Sequence, residues 1–143
     1  MSRNKKITSK DVGAFLEHRA QHLSFDDVPI FYGDLAAHFK LPPITEAWHT
    51  HPLCSIFEEL DVEDAKHNQP FRTVLVVSHE HSIPGPGFFK TVAQLCPRNR
   101  IPRTDLDKMS FFSDEVQRLL KHYGNATVAQ HKITAVPGRK LRG

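Results

Sequence analysis

The chain of 143 residues contains little cysteine and lacks the sequence motifs that usually identify an enzyme. Its two cysteines, Cys54 and Cys96, lie far apart, which favours two free thiols over a disulfide framework. No Gly-x-Ser-x-Gly, P-loop or Gly-x-Gly-x-x-Gly motif is present. No partner base can be named for either thiol, or for Ser55 or Ser78. The sequence therefore favours a protein that is not an enzyme, and we assign no catalytic residue.

Long apolar runs are also missing. No stretch of eighteen apolar residues occurs, so we expect neither a transmembrane helix nor a membrane partner. The basic N-terminus is not followed by the apolar segment of a signal peptide. The apolar fraction of 39% and the charged fraction of 24% are ordinary for a globular domain. We therefore expect a cytoplasmic protein.

The net charge of +3 is divided unevenly along the chain. Residues 1–10 carry four bases and no acid, and residues 11–89 carry twelve acids against four bases. Residues 90–143 carry eleven bases against four acids. Basic ends of this kind can hold a polyanion such as nucleic acid. They are equally compatible with solvated tails, or with segments that fold back onto the acidic middle.

Apolar periodicity predicts three helices in the first half of the chain. The first begins near Thr8 or Ser9, and the second opens at residues 33–34 and ends before Pro42. The third begins at Pro52 and places four apolar residues on one face, at Leu53, Ile56, Phe57 and Leu60. Most of its other positions are acidic.

A short β-wing is predicted to follow these helices. The valine-rich residues 73–78 indicate a buried strand, and residues 78–82 form its exposed tip. The Pro/Gly turn at residues 83–87 then returns Phe88 and Phe89 to the core, as a strand or as a helix. After a linker, Ser113 caps a last helix whose apolar face is Val116, Leu119, Leu120 and Tyr123.

These elements predict an α+β, mostly helical protein, with a winged helix-turn-helix-like domain and a C-terminal helical extension. The domain occupies residues 8–95, and the linker and last helix occupy residues 96–124. Residues 125–143 form a basic tail. The tail is either a short strand at residues 133–136 with a loose end, or a disordered segment.

One short motif carries a resemblance to a known family. Tyr32-Gly33-Asp34-Leu35-Ala36 is followed, at about the right distance, by Val76-Val77 and by Gly85-Pro86-Gly87-Phe88. Over residues 28–90 the chain resembles the C-terminal DNA-binding domain of the alkylguanine-DNA alkyltransferases and alkyltransferase-like proteins. The resemblance implies a winged helix-turn-helix that binds DNA, with one helix entering the minor groove.

The chain also departs from this family at its reactive position. Aligning Val76-Val77 with the family's paired valines puts Thr73 at the nucleophilic cysteine and Val74 at the neighbouring histidine. A threonine hydroxyl with no histidine beside it is a poor nucleophile, so we do not expect alkyl transfer. The third helix is also acidic, and carboxylates repel phosphates. The resemblance therefore leaves a DNA-binding or regulatory role without catalysis.

The candidate contacts to nucleic acid are an aromatic group, its neighbours and a basic linker. The single tryptophan can stack on a base or anchor a partner, or it can simply close the edge of the core. Linker arginines can contact phosphates or remain solvated. The predicted nucleic-acid-binding residues are Tyr32, Thr45, Trp48, His49, Arg98, Arg100 and Arg103. An alternative is a protein–protein interaction or oligomerisation module that uses Trp48 and the acidic third helix.

Two His-x-His pairs raise a second alternative, a histidine-rich metal-binding protein. The pairs are His49 with His51 and His79 with His81, and Cys54 follows the first pair. Residues i and i+2 of a strand face the same side, so one pair could reach a single zinc ion. No Cys-x-x-Cys or His-x-x-x-His pattern anchors such a site. Solvent-exposed or structural histidines are the competing interpretation, and we assign no cofactor other than this conditional zinc.

Overall fold

The described part of the fold is mainly helical, with two strands of two residues each. A computed structural model describes residues 7–45, 48–96, 102 and 104–125. Its elements are α1 (Ser9–His22), β1 (Ile30–Phe31), α2 (Tyr32–His38), a 3₁₀ turn (Trp48–Thr50), α3 (Pro52–Lys66), a second 3₁₀ turn (Arg72–Leu75), β2 (Val76–Val77), α4 (Pro86–Leu95) and α5 (Asp105–His122). The predicted α+β, mostly helical class is therefore confirmed. None of the helices in these ranges has the length and apolar character needed to cross a bilayer.

Helix α1 begins where the sequence predicts, at a threonine cap. The Thr8 side chain accepts a hydrogen bond from the Asp11 amide, and the Asp11 carboxylate accepts one from the Thr8 amide in return. The buried side of α1 carries Val12, Leu16 and Ala20. It packs against α3, α5 and the second 3₁₀ turn.

Helices α3 and α5 complete the core. All four apolar residues predicted for the inner face of α3 are buried. On α5, Val116, Leu119 and Leu120 are buried as predicted. The predicted start of α5 at Ser113 is wrong, because the helix begins eight residues earlier. Thr104 caps it by accepting a hydrogen bond from the Asp107 amide at 3.0 Å.

The region predicted as a β-wing has a different form. Residues 74–77 are buried as predicted, but the strand is confined to β2, which pairs in parallel with β1. The chain then returns as helix α4, in which Pro86 is suited to the first turn. The helix buries Phe88, Phe89 and Val92 on one side, which is the second of the two predicted returns.

A buried arginine fixes the second 3₁₀ turn against α3. The Arg72 guanidinium contacts Asp64 at 3.0 Å, Glu17 at 2.7 Å and Glu63 at 2.8 Å. Its backbone amide also donates to the Asp64 carboxylate, at 3.0 Å. Burial alone would lower the pKa of Arg72, but the hydrogen bonds to Asp64 and Glu63 outweigh burial and raise it. The network therefore places the next residue, Thr73, at a fixed position facing α3.

Candidate functional site

An open cavity of about 660 Å³ lies between the first 3₁₀ turn, α3 and the N-terminal half of α4. We name it the aromatic pocket, after Tyr32, Trp48, Phe57 and Phe88, which line it together with Asp61 and Thr73. The ring centroids of Tyr32 and Trp48 are 5.6 Å apart, and those of Trp48 and Phe57 are 5.7 Å apart. A volume of this size, with mostly apolar walls and few polar groups, suits a small flat ligand.

The deep end of the aromatic pocket is polar. Asp61 and Thr73 are only 4% and 3% exposed, and the Thr73 hydroxyl donates to the Asp61 carboxyl at 2.6 Å. Burial raises the pKa of Asp61 to about 7, and the nearby carboxylates of Asp64 and Glu58 add to this. The bond from Thr73 and the charge of Arg72 act in the opposite direction. Asp61 therefore gains and loses its proton near neutral pH.

Tyr32 joins the aromatic wall to the start of α4. Its hydroxyl oxygen accepts a hydrogen bond from the Gly85 amide at 3.1 Å. Burial raises the pKa of Tyr32, so the hydroxyl keeps its proton. Within the described part of the chain, that proton has no acceptor. The aromatic pocket therefore offers a hydroxyl donor as well as the Asp61 carboxyl.

The mouth of the pocket carries charges of both signs. Glu58 on α3 and Lys90 and Gln94 on α4 are exposed lining residues. Cys54 also lines the pocket, and burial, helped by the charge of Glu58, raises the pKa of its thiol. A protonated thiol is a weak nucleophile, so Cys54 is poorly suited to nucleophilic attack. Both cysteines are free.

The structure brings together two of the predicted nucleic-acid-binding residues. Tyr32 and Trp48 line the same pocket, and Trp48 is half-buried at the edge of the core. Thr45 and His49 are exposed beside the pocket-lining Ile44 and Trp48. The three predicted arginines, Arg98, Arg100 and Arg103, lie outside the described residues.

Asp61 is a site residue that the sequence patterns did not predict. A signal was nevertheless present, because Asp61 follows Phe57 by four residues and so belongs to the inner face of α3. Thr73 was considered only as a nucleophile without a proton acceptor. The structure supplies an acceptor in Asp61, twelve residues earlier in the chain.

The histidines of the two His-x-His pairs lie in different surroundings. His51 caps α3, with Nδ1 accepting from the Leu53 amide at 3.1 Å and Nε2 placed 2.8 Å from the Pro42 carbonyl. Both ring nitrogens are therefore engaged, and Nε2 carries the proton. His79 stacks on Phe31 with a centroid distance of 3.7 Å. Within the described ranges, no group of three His, Cys, Asp or Glu residues is arranged to hold a metal ion. Zinc binding stays a prediction.

Comparisons with known proteins add no family to this description. No family model, no curated protein and no solved structure matches the chain.

Proposed function

We propose that this protein binds DNA without acting as an enzyme, and that the aromatic pocket receives one unpaired base. The observation that carries the proposal is that Tyr32 and Trp48, whose rings meet edge to face, line the same pocket as the buried Asp61. Proteins that take a base out of its stack hold it between aromatic or apolar side chains and contact its edge with polar groups. Each base that stacks on an aromatic side chain contributes about 1–3 kcal/mol to binding.

The order of elements agrees with the family resemblance on which the prediction of DNA binding was based. The Tyr-Gly-Asp-Leu-Ala motif opens α2, the paired valines form β2, and the Gly/Pro turn leads into α4. Thr73, aligned with the family's reactive cysteine, lines the aromatic pocket. We propose that α2 and α3 correspond in order to the two helices of a helix-turn-helix, with the loop before α4 in the place of a wing, but that α3 does not enter a groove. Thr73 serves there as a polar contact and not as an alkyl acceptor.

The phosphate contacts are proposed to come from the basic C-terminal half. Helix α4 contributes Lys90 to the mouth of the pocket, and the linker arginines follow soon after this helix ends at Leu95. Cations placed there release counterions from DNA. The exposed acids of α3, among them Glu59 and Glu63, disfavour insertion of that helix into a groove. We therefore propose that DNA approaches from the side of α4.

Fluorescence anisotropy with labelled single-stranded and mismatched double-stranded DNA tests this proposal. The full chain is expected to bind at low salt, and to lose affinity steeply as salt rises. Trp48→Ala is expected to weaken binding about tenfold, because it removes one stacking surface. The matched control is Val62→Ala, which shortens a side chain that is 53% exposed on α3 and does not line the pocket. The proposal fails if no DNA is retained at low salt, or if both variants bind equally.

A second candidate function is self-association. Leu106 and Met109 lie one turn apart at the start of α5 and are 76% and 54% exposed. Apolar side chains at this spacing form a stripe that a second helix could cover. Light scattering after size exclusion would then show a dimer that Met109→Lys dissociates. A monomer at all protein concentrations would remove this candidate.

A further inference from the structure

The Asp61 carboxyl has unused capacity to accept hydrogen bonds inside the aromatic pocket. One of its oxygens, Oδ1, accepts from Thr73. Within the described ranges, the side chain has no second hydrogen-bond partner, although it is only 4% exposed. A buried carboxylate is stabilised when further donors reach it, and two adjacent N–H groups bind both of its oxygens at once. Asp61 is one of the residues that line the pocket, so a ligand bound there could supply those donors.

The donor pattern of each DNA base decides which base suits a carboxylate. On the edge that forms Watson–Crick pairs, guanine carries two adjacent donors, N1–H and the 2-amino group. Adenine and cytosine each present one amino donor beside a ring nitrogen that would repel the carboxylate. Thymine presents one N–H between two carbonyl oxygens. Guanine is therefore the base whose edge matches an ionised aspartate.

We infer that Asp61 makes the aromatic pocket selective for an unmodified guanine, an inference that rests on the proposed binding of an unpaired base. The 2-amino group and N1–H of guanine would meet the two carboxyl oxygens. The Tyr32 hydroxyl could donate its proton in a hydrogen bond to an acceptor on the base, such as O6 of guanine. Alkylation at O6 removes the N1 proton, so an O6-alkylated guanine is expected to bind more weakly. The alkylguanine alkyltransferases are named for the alkylated base, so the preference inferred here, for the unmodified base, is the opposite one.

The pKa of Asp61 is compatible with this role. Burial raises it to about 7, so forming the carboxylate at neutral pH requires little free energy once donors are present. Asp64, Glu58 and Arg72 are the charged groups that influence this carboxyl, and Thr73 holds one of its oxygens. The neutral acid would bind guanine less well, since its proton would face another donor.

The single tryptophan provides a readout at the pocket itself, because Trp48 lines it. The probes are short single strands of thymidine with one central test base, titrated while Trp48 fluorescence is followed at low salt. We expect guanine to bind about tenfold more tightly than adenine, because the carboxylate makes a two-bond contact with guanine only. Hypoxanthine lacks the 2-amino group and should be intermediate. O6-methylguanine should bind more weakly than guanine.

Two variants locate the selectivity. Asp61→Asn is expected to bring guanine and adenine within about twofold of each other, because an amide presents a donor and an acceptor instead of two acceptors. The control, Glu59→Gln, changes an exposed carboxylate on the same helix that does not line the aromatic pocket, and it should keep the preference. The comparison of four bases uses the unaltered protein, so it stays decisive even if Asp61→Asn does not fold.

Each other outcome overturns a separate claim. Equal affinity for all four test bases, or tighter binding of O6-methylguanine than of guanine, overturns the guanine inference and leaves DNA binding standing. Retention of the preference in Asp61→Asn overturns the role of this carboxyl. Absence of binding to every strand at low salt overturns the proposed function, and the guanine inference with it.

Discussion

At the residue scale, two buried carboxyls of one helix, Asp61 and Asp64, differ in their hydrogen-bond and ion-pair partners. Asp64 meets the guanidinium of Arg72 and its backbone amide, whereas Asp61 receives one hydroxyl hydrogen bond. Burial raises the pKa of both carboxyls. Because a guanidinium does not lose its proton in proteins, we assign Asp64 and Arg72 as an ion pair. Asp61 has no such partner, so it is the carboxyl whose charge the fold does not require.

The pH dependence of stability should therefore change in Asp61→Asn. The pKa of Asp61 is raised from 3.8 to about 7 in the fold, so unfolding between these values releases a proton. Stability from this group is consequently fully present below about pH 4 and is lost as the pH rises to about 7. The loss is up to about 4 kcal/mol, at about 1.4 kcal/mol per pKa unit. Asp61→Asn has no carboxyl at this position, so its stability should not show this loss as the pH rises.

Urea unfolding at several pH values between 4 and 8 measures this difference. The free energy of unfolding of Asp61→Asn, minus that of the unaltered protein, is expected to rise through the window and to level off above it. Glu59→Gln provides the control and should show a nearly constant difference, because it removes an exposed carboxylate of α3 that is not among the groups acting on Asp61. A constant difference for Asp61→Asn would show that its carboxyl is ionised throughout.

At the element scale, helical periodicity predicted α3 and the apolar face of α5, because their buried residues recur with the period of a helix. The valine-rich segment before β2 was predicted as a longer strand. Side chains of α3 hold it in a 3₁₀ turn instead, since Asp64 binds the Arg72 amide and Asp61 binds Thr73. Tertiary contacts of this kind override local propensity.

The pairing of β1 with β2 could likewise not be predicted from local sequence patterns. It joins Ile30 to Val76 across most of the domain, and each strand has two residues. The aromatic pocket was predictable only in part, for the same reason. Tyr32 and Trp48 could be chosen as chemically suitable residues, but their approach to Asp61 depends on how α3 and the second 3₁₀ turn pack.

Gly13, inside α1, gives a prediction at this scale, because glycine ordinarily weakens a helix relative to alanine. A β-carbon at this position would lie 2.7 Å from Nη1 of Arg72 and 3.1 Å from Cδ2 of Leu60. The guanidinium is held by Glu17 and Asp64, so it cannot move away without losing ion pairs. Gly13→Ala is therefore expected to destabilise the protein by about 1–3 kcal/mol despite its better helix propensity.

A second helical glycine supplies the matched control. At Gly33, in the first turn of α2, an added β-carbon would meet nothing within 4 Å. Gly33→Ala should be neutral or stabilise by up to about 1 kcal/mol. Thermal unfolding of both variants compares their stabilities. If Gly13→Ala were as stable as Gly33→Ala, the Arg72 network would be more adaptable than its contacts indicate.

At the scale of the whole molecule, charge is separated along the chain. The acidic residues are concentrated in residues 11–89, which form the core elements from α1 to α4, and the bases are concentrated towards both ends. The proposed DNA contact therefore falls on the basic ends, because the acidic face of α3 would repel a polyanion. The proposed function therefore depends on the C-terminal bases as well as on the pocket.

A variant that ends at Asn125 tests this dependence. It lacks Lys132, Arg139, Lys140 and Arg142, so binding to single-stranded DNA should weaken. The slope of log affinity against log salt should become shallower by up to about 3, at about 0.7 per lost phosphate contact. The variant keeps the buried Asn125 amide, which donates to the carbonyls of Ala20 and Leu23. Anisotropy titrations at three salt concentrations give both slopes.

The same titrations separate the contribution of the basic tail from that of the aromatic pocket. Removal of cations changes the salt slope, whereas removal of a stacking ring lowers affinity by a nearly constant factor at every salt concentration. Trp48→Ala in the full chain should therefore keep the original slope. A truncated protein with an unchanged slope would show that phosphates are contacted only by the domain and its linker. A change of slope in Trp48→Ala would instead show that this side chain positions the cations.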